Sequence, residues 1–499
     1  MKKDKFYKDS LILTLSNLTT GIFGFMFSII LSRELGPEGM GLYGLIMPIY
    51  NLFICLISGG MVTAISRVSA IYYVKNDYLN LHKSVKISLI FDMCWSFIVV
   101  FFVFISSKFI GLNIIKDMRT VQALQIICPA MIFIALSSIL KGFFYGTSQI
   151  KIPAFIDIFE KAVRIFMVLS IIQLFSLCET GDKVTAAYIS LTAGELISLI
   201  LLYMYYIKKK KSQFYHINGK SEDGLQLLFD VLRISFPLCL NGFLSTAIGT
   251  ASTLIIPRRL VSAGFEYEMA LSMIGKFTGM SLTIVFFPMI VVNSISTILI
   301  PDLSQSLAKK DFWIMKKRIS EVLKISLLLG ISTLIVGTCI PNSLGKMFFN
   351  RNDLGAYIKF VAFAAPIAYV SAATFGILNG LGKQKVILKN SLIVSVEELL
   401  LLYIFIEIPS VNIYGYGLSL IITSLTMLFI NLHEIKKISD IDFSISEIIV
   451  CMLLSILLYF MLKILNAAIS DTILILKNIL IIILGFSIFI FSSIFTTRN

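Results

Sequence analysis

Fourteen stretches of this chain are apolar for 18 residues or more, and that feature limits the fold more than any other. A helix rising 1.5 Å per residue needs about 20 such residues to cross roughly 30 Å of hydrocarbon. The stretches are 11–32, 42–66, 87–107, 122–145, 154–177, 184–207, 227–256, 272–300, 321–341, 356–380, 388–408, 413–433, 447–465 and 473–495. In lipid, backbone polar groups must be satisfied within the segment, so each is expected to be a helix. Only 14% of the 499 residues are charged and 57% are hydrophobic, whereas a soluble domain has about a quarter charged. The expected fold is therefore an all-α polytopic membrane protein of about 14 transmembrane helices. An even count puts both termini on one side of the membrane.

The first apolar stretch follows MKKDKFYKDS and is longer than a usual signal core, with no small-residue cleavage site after it, so it is read as a retained span. The net charge of +14 is concentrated in alternate loops. One set holds the N-terminal lysines, Arg67, Lys75, Lys83 and Lys86, then Lys208–Lys211 and Lys220, and later Lys309, Lys310, Lys316, Lys317 and Arg318. Lys383, Lys385, Lys389, Lys436 and Lys437 belong to the same set. An excess of Lys and Arg marks cytoplasmic loops. The basic balance thus reports orientation in a cell membrane, with both termini cytoplasmic, and no nucleic-acid partner is expected.

An internal repeat is visible in the spacing. KGFFYGTSQIK (141–151) and FGILNGLGKQK (375–385) both carry GxxxG, and Gly142 and Gly146 lie 234 residues before Gly376 and Gly380. The same offset aligns KNDY (75–78) with KKDF (309–312) and Thr63 with Thr297. A slightly shorter offset sets Asn17 against Asn241 and Arg33 against Arg258. Several anchors in one register predict two six-helix lobes related by pseudo-symmetry. The expected organisation is an N-lobe at 1–207, a basic cytoplasmic linker at 208–226, a C-lobe at 227–433 and two added helices at 434–499.

Catalytic and cofactor motifs are missing. There is no P-loop, and GPEGMG at 36–41 is not a GxGxxG set between a strand and a helix. The histidines His82, His216 and His433 lie in or beside expected cytoplasmic segments. The seven cysteines are scattered singly, with no spacing for a metal or a disulfide framework. No cofactor, metal or enzymatic activity is expected.

Ionisable groups inside spans are costly and tend to be functional. Glu160 and Arg164 are one turn apart in span 5, and the 234-residue offset sets Arg164 opposite Glu398. Glu195 lies near the middle of span 6. These four are candidates for charge coupling, with pairing within span 5 the plainer alternative for Glu160 and Arg164 and a hidden salt bridge that for Glu195. Arg258, Arg259 and Lys276 could hold an anionic group, because the arginine fork suits phosphate, although interfacial snorkelling accounts equally well for the arginine pair. Asp230 and Arg233 read as interfacial. Asn17 and Asn241 sit on polar faces of the first helix of each lobe, as if bordering a wet cavity, with ordinary interhelical hydrogen bonding as the alternative. In LGPEGMGLYGLIMPIY, Gly36 and Pro37 are expected to stop the first helix, Gly39 and Gly41 to allow a tight turn back, and Pro48 to kink the second. Together these form a candidate hinge or outer gate, with a merely structural turn as the alternative.

RELGPEGMGLYGLIMPIYNL, GGMVTAISRVSA and ISTILIPDLSQSLAKKD resemble the stage V sporulation protein B family. That family belongs to the multidrug/oligosaccharidyl-lipid/polysaccharide superfamily, with MurJ-type flippases and MATE exporters. The resemblance implies two six-helix lobes around a central cavity, with two further helices adding a groove for a lipid tail. It also implies outward movement of an undecaprenyl-pyrophosphate-linked saccharide, a peptidoglycan precursor serving the spore cortex. The implied partners are that lipid-linked sugar, membrane lipids and cell-wall or cortex enzymes. MurJ-type proteins carry an arginine inside the first span, whereas here no charge occurs between Asp9 and Arg33. Arg33, Arg258, Arg259 and Lys276 are then the nearest cationic candidates for the substrate. A drug/cation antiporter of the same fold and a membrane glycosyltransferase are the competing readings.

Overall fold

The computed structural model describes residues 2–213, 221–439, 445–469 and 474–496. His216 and Lys220 lie outside them. The described chain is helical: α1 (Lys2–Ser58), α2 (Met61–Val74), α3 (Tyr78–Phe109), α4 (Arg119–Gly146), α5 (Lys151–Leu174), α6 (Thr180–Gln213) and α7 (Gly224–Ser262). There follow α8 (Tyr267–Ile274), α9 (Leu282–Phe286), α10 (Met289–Ala308), α11 (Phe312–Cys339), α12 (Pro341–Phe349), α13 (Gly355–Ala362) and α14 (Ala365–Gly380). The last are α15 (Gln384–Phe405), α16 (Tyr414–Lys436), α17 (Ile445–Ala468) and α18 (Leu474–Thr496). Among the described residues nine helices are long and apolar enough to span a membrane, or ten if α13 and α14, bent by 50°, make one span. One of the nine is the 61-residue stretch Thr14–Val74. At 1.5 Å per residue that stretch is about 90 Å long, far more than one crossing needs.

The chain forms two compact units. The first comprises residues up to Leu35 and Leu42–Leu254. In it α4 packs against α2, α3 and α6, with Leu124, Ile127, Met131, Ile139 and Phe143 wholly buried. His82 is part of this packing: its ring lies 5.7 Å from that of Phe143, and its Nδ1 is 3.2 Å from the Tyr206 hydroxyl.

The second unit comprises Gly36–Gly41 and Ile255–Asn499. Here α14 occupies the central place, packed against α10, α11 and α16, while α17 and α18 lie on α11. Phe277, Tyr357, Tyr414 and Tyr416 form an aromatic group, with Phe277 and Tyr416 centroids 5.6 Å apart.

Contacts inside the two units recur 234 residues apart. A Cβ on Gly142 would meet Val62 and Ile65, and one on Gly146 would meet Ser66 and Ser69. Gly376 and Gly380 approach Ser296, and Ile300 with Leu303, in the same way. Asn76 and Lys310 both have positive φ, at 56° and 58°. Asp77 and Asp311, which follow them, cap the next helix by accepting the N–H of Asn80 or Ile314 at 3.1 Å. The missing side chains let α4 and α14 lie close against a neighbouring backbone.

The LGPEGMG stretch differs from the expected turn. Gly36 alone leaves helical geometry inside α1, at φ 69° and ψ −176°. A residue with a Cβ would be strained there. Gly39 and Gly41 are helical, as is Pro48, with no further break at that proline. Gly41 serves packing instead: a Cβ on it would strike the Leu271 carbonyl, and one on Gly275 would strike that of Pro37. Gly41→Ala and Gly275→Ala should therefore each destabilise the protein by about 1–3 kcal/mol through overpacking. Gly24→Ala and Gly44→Ala, which meet nothing within 4 Å, should be neutral or slightly stabilising. Thermal unfolding of the four purified variants in detergent tests this. Equal midpoints across the set would deny the close contact.

Candidate functional site

The first unit contains a cavity of about 850 Å³, within the range that holds small ligands and headgroups. Two helical stripes build it. Thr63, Arg67 and Ile71 on α2 and Lys75 just past its end follow at four-residue spacing, and Asp230, Arg233, Ile234, Pro237 and Leu238 supply a stripe of α7. Residues three and four apart share a helix face, so each helix turns one mixed face to the cavity. Arg67 and Arg233 are exposed in it, on walls that also carry apolar side chains.

Glu222 lines the same cavity and is held on three sides. Its carboxylate accepts the Tyr72 hydroxyl at 2.6 Å, and its N–H donates to Asn80 Oδ1 at 2.9 Å. Lys83 donates to the Glu222 carbonyl, and to Ser221 Oγ at 2.7 Å. Asp230 accepts from Gln226 at 3.2 Å. Three cations face two carboxylates, and both carboxylates have neighbours that fix them. Two guanidinium forks in one cavity suit an oxyanion such as pyrophosphate. By position in the sequence alone Arg67 reports orientation and Arg233 reads as interfacial, so neither is among the expected substrate contacts. The four-residue polar spacing on α2 was the available signal.

A second polar group lies between α5 and α6. Glu160 and Arg164 pair along α5, and Arg164 Nη2 is 3.2 Å from Glu195 Oε1. Lys161 reaches Glu160 Oε2 at 3.0 Å, and neighbouring Lys141 pairs with Asp157 at 2.7 Å. Glu160, Arg164 and Glu195 are all buried. Gly194 makes the room, since a Cβ there would lie 2.9 Å from Glu160 Oε1. Glu398 lies on α15 in the second unit and is half-buried.

The remaining candidates are dispersed. Arg259 pairs with Glu407, donates to the Tyr403 carbonyl at 3.0 Å and stacks 3.7 Å above that ring. Lys276 pairs with Asp353 at 2.8 Å, and Arg351 grips the same carboxylate at 2.7 and 2.8 Å. The Arg351 hydrogen bonds, with Lys276 adding to them, hold Asp353 well below the usual carboxylate range. Arg259 and Lys276 thus have separate carboxylate partners. Arg33 and Arg258 are exposed, Asn17 is exposed and Asn241 is half-buried. Beside Asn17, Thr19 and Thr20 bond carbonyls of their own helix at 2.8 and 2.9 Å, as hydroxyls in apolar helices commonly do.

Comparison with known proteins finds relatives of this chain. A family model described as polysaccharide biosynthesis protein matches residues 6–307, and a second, MatE, matches residues 276–404. The chain is 24% identical over 452 residues to stage V sporulation protein B of Bacillus subtilis (strain 168), covering 90% of this chain and 86% of that one. It is 23% identical over 405 residues to the lipid II flippase MurJ of the same organism, covering 76% and 74%. Among solved structures, the inward closed conformation of lipid II flippase MurJ is similar with a TM-score of 0.74 at 15% identity, covering 98% of this chain and 99% of that one. The inward-facing conformation of a multidrug resistance MATE family transporter of the MOP superfamily is similar with a TM-score of 0.67 at 13% identity, covering 86% and 100%.

Proposed function

We propose, from the premise that the chain belongs to the polysaccharide biosynthesis protein family, that it is a flippase for a lipid-linked saccharide. The premise itself is plain: this is a multi-pass membrane protein of a transporter superfamily, distantly related to stage V sporulation protein B, MurJ and MATE proteins, and not an enzyme. The observation that carries the proposal is the cavity in the first unit, where Arg67 and Arg233 share walls with apolar residues. The sugar-pyrophosphate headgroup would cross in the wet interior while the polyprenyl tail stayed in lipid. Through hydrocarbon alone the charged headgroup would meet a prohibitive barrier.

In this reading the chain has fourteen spans, two six-helix lobes and two added helices, and works by alternating access. The cation-rich end of the cavity is cytoplasmic, as are both termini, so the headgroup loads from the inner leaflet. Arg259 and Lys276 would have to exchange Glu407 and Asp353 for phosphate, which makes them later contacts than Arg67 and Arg233. Arg33, Arg258, Asn17 and Asn241 remain candidates along the route. Gly36, with Pro37, Gly39, Gly41 and Pro48 around it, is the proposed hinge. The cargo proposed is an undecaprenyl-pyrophosphate-linked peptidoglycan precursor such as lipid II, passed to cell-wall or cortex enzymes during sporulation. A drug/cation antiporter would be better served by a net acidic cavity than by three cations against two carboxylates.

Leaflet-specific labelling tests the proposal. In cells depleted of this protein and of redundant flippases, labelled lipid II or another polyprenyl-linked sugar should fall sharply in the outer leaflet. Unchanged outward appearance of every candidate would end the proposal.

A further inference from the structure

Asp92 stands in the middle of α3, inside the third apolar stretch, and its exposure is 0%. Neither carboxyl oxygen has a hydrogen-bond partner. Ser88 and Ser96, one turn to either side on the same face, are equally buried. The Ser88 hydroxyl has no partner, and the Ser96 hydroxyl donates to the Met93 carbonyl at 2.9 Å. Three oxygen-bearing side chains thus line one buried face of a membrane helix.

Among the described residues no cation pairs with this carboxyl. On its own helix Lys86 is six residues away, about 9 Å along the axis, and Lys83 is engaged by Ser221 and Glu222. On the elements packed against α3, Arg119 is bound to Asp117, Lys141 to Asp157, and Arg67 faces the cavity. The Tyr72 hydroxyl is given to Glu222, and the Cys128 thiol to the Leu124 carbonyl. The Cys239 thiol of α7 lies near enough to feel its charge, and that thiol itself bonds the Cys55 carbonyl at 3.2 Å. The contrast with Glu160 and Glu195 is direct, since those share a guanidinium and Lys161. An ionised carboxylate without a counter-charge, removed from water, neutralises itself by binding a proton.

We propose that Asp92 is a proton-binding site: it carries a proton in this conformation and releases it to water only when the packing around α3 loosens. Binding and release are the simple exchange of one proton between carboxyl and carboxylate. Because the charged form does not fit this packing, proton occupancy and conformation are linked. The site is defined by its surroundings alone and stands whatever the transported cargo is.

The test uses the full-length protein in lipid vesicles, with protons and dicyclohexylcarbodiimide as probes. At neutral pH, infrared difference spectra of wild type against Asp92→Asn should show one protonated-carboxyl carbonyl band that the variant lacks. The carbodiimide, which attacks protonated carboxyls in apolar surroundings, should label Asp92 by peptide mapping, and labelling should fall about tenfold per pH unit above its midpoint. Absence of both band and label at neutral pH would overturn the proposal. So would protection of Asp92 by sodium ions at constant pH, which would make it a metal-cation site. If Asp92→Asn does not fold, labelling of the wild type decides alone.

Discussion

Arg164→Leu is expected to destabilise the protein by about 3–5 kcal/mol, the cost of breaking a buried ion pair by removing one partner. The guanidinium lies against both Glu160 and Glu195, and all three residues are less than a tenth exposed. Without it, two carboxylates share a buried space with Lys161, whose side chain is 31% exposed, and with neighbouring Lys141, which is already paired to Asp157. The thermal midpoint in detergent should fall on the order of 10 °C for a unit of this size. Arg164→Lys keeps the charge but not the planar fork, so it should lie between leucine and wild type. The triple variant Glu160→Gln, Arg164→Leu, Glu195→Gln should recover much of the loss, because the penalty comes from uncompensated charge and not from the absence of a bridge. A loss below about 1 kcal/mol for Arg164→Leu, the scale of an exposed pair, would mean the cluster is open to water. Failure of the triple variant to recover would assign the loss to packing against Gly194 and Phe27.

What could be read from the sequence depended on how local the determinant was. KNDY and KKDF carry local instructions, a left-handed residue and then an aspartate capping the next helix, and the shared offset of 234 is what their residues show without the structure. Gly142, Gly146, Gly376 and Gly380 likewise announced close helix contacts, though not which helices would fill them. Helix adjacency was the missing information. The pairing of Glu160 and Arg164 lies within α5 and was visible as an alternative. That of Arg164 with Glu195 requires α5 and α6 to face each other at one depth. The cavity failed to appear for a related reason. Arg67 and Arg233 sit near the ends of their apolar stretches, where cations usually report orientation, and only the rotation of α2 and α7 turns them to a shared space. In LGPEGMG the composition marks a break at Gly36–Pro37 and a turn back at Gly39 and Gly41, but the chain departs from helical geometry at Gly36 alone. One residue of positive φ was enough, which left Gly41 to serve packing against Leu271.

The arginine pair gives the largest expected loss of transport. Arg67→Gln and Arg233→Gln should each reduce outward movement of the lipid-linked sugar about 10- to 100-fold, the range for losing a charged hydrogen bond of about 1.5–3 kcal/mol. The double variant should be inactive, because a pyrophosphate held by neither fork leaves its charge uncompensated in a partly apolar cavity. Lysine at either position should restore activity only in part, since an ammonium cannot make two parallel hydrogen bonds. Insertion and thermal midpoint should hardly change, because both side chains are exposed to the cavity and neither belongs to the buried core. That separation sets these variants apart from Arg164→Leu, which acts on stability. Asp230→Asn offers the opposite sign: removing a carboxylate from the same wall raises the positive potential there and should tighten binding of an anionic headgroup. Leaflet-specific labelling in cells expressing each variant as the sole flippase measures all of these. Full activity of the double glutamine variant would remove the cavity from the substrate's path. Equal loss in Asp230→Asn and Arg67→Gln would indicate a general sensitivity of that wall, with no preference for an anion.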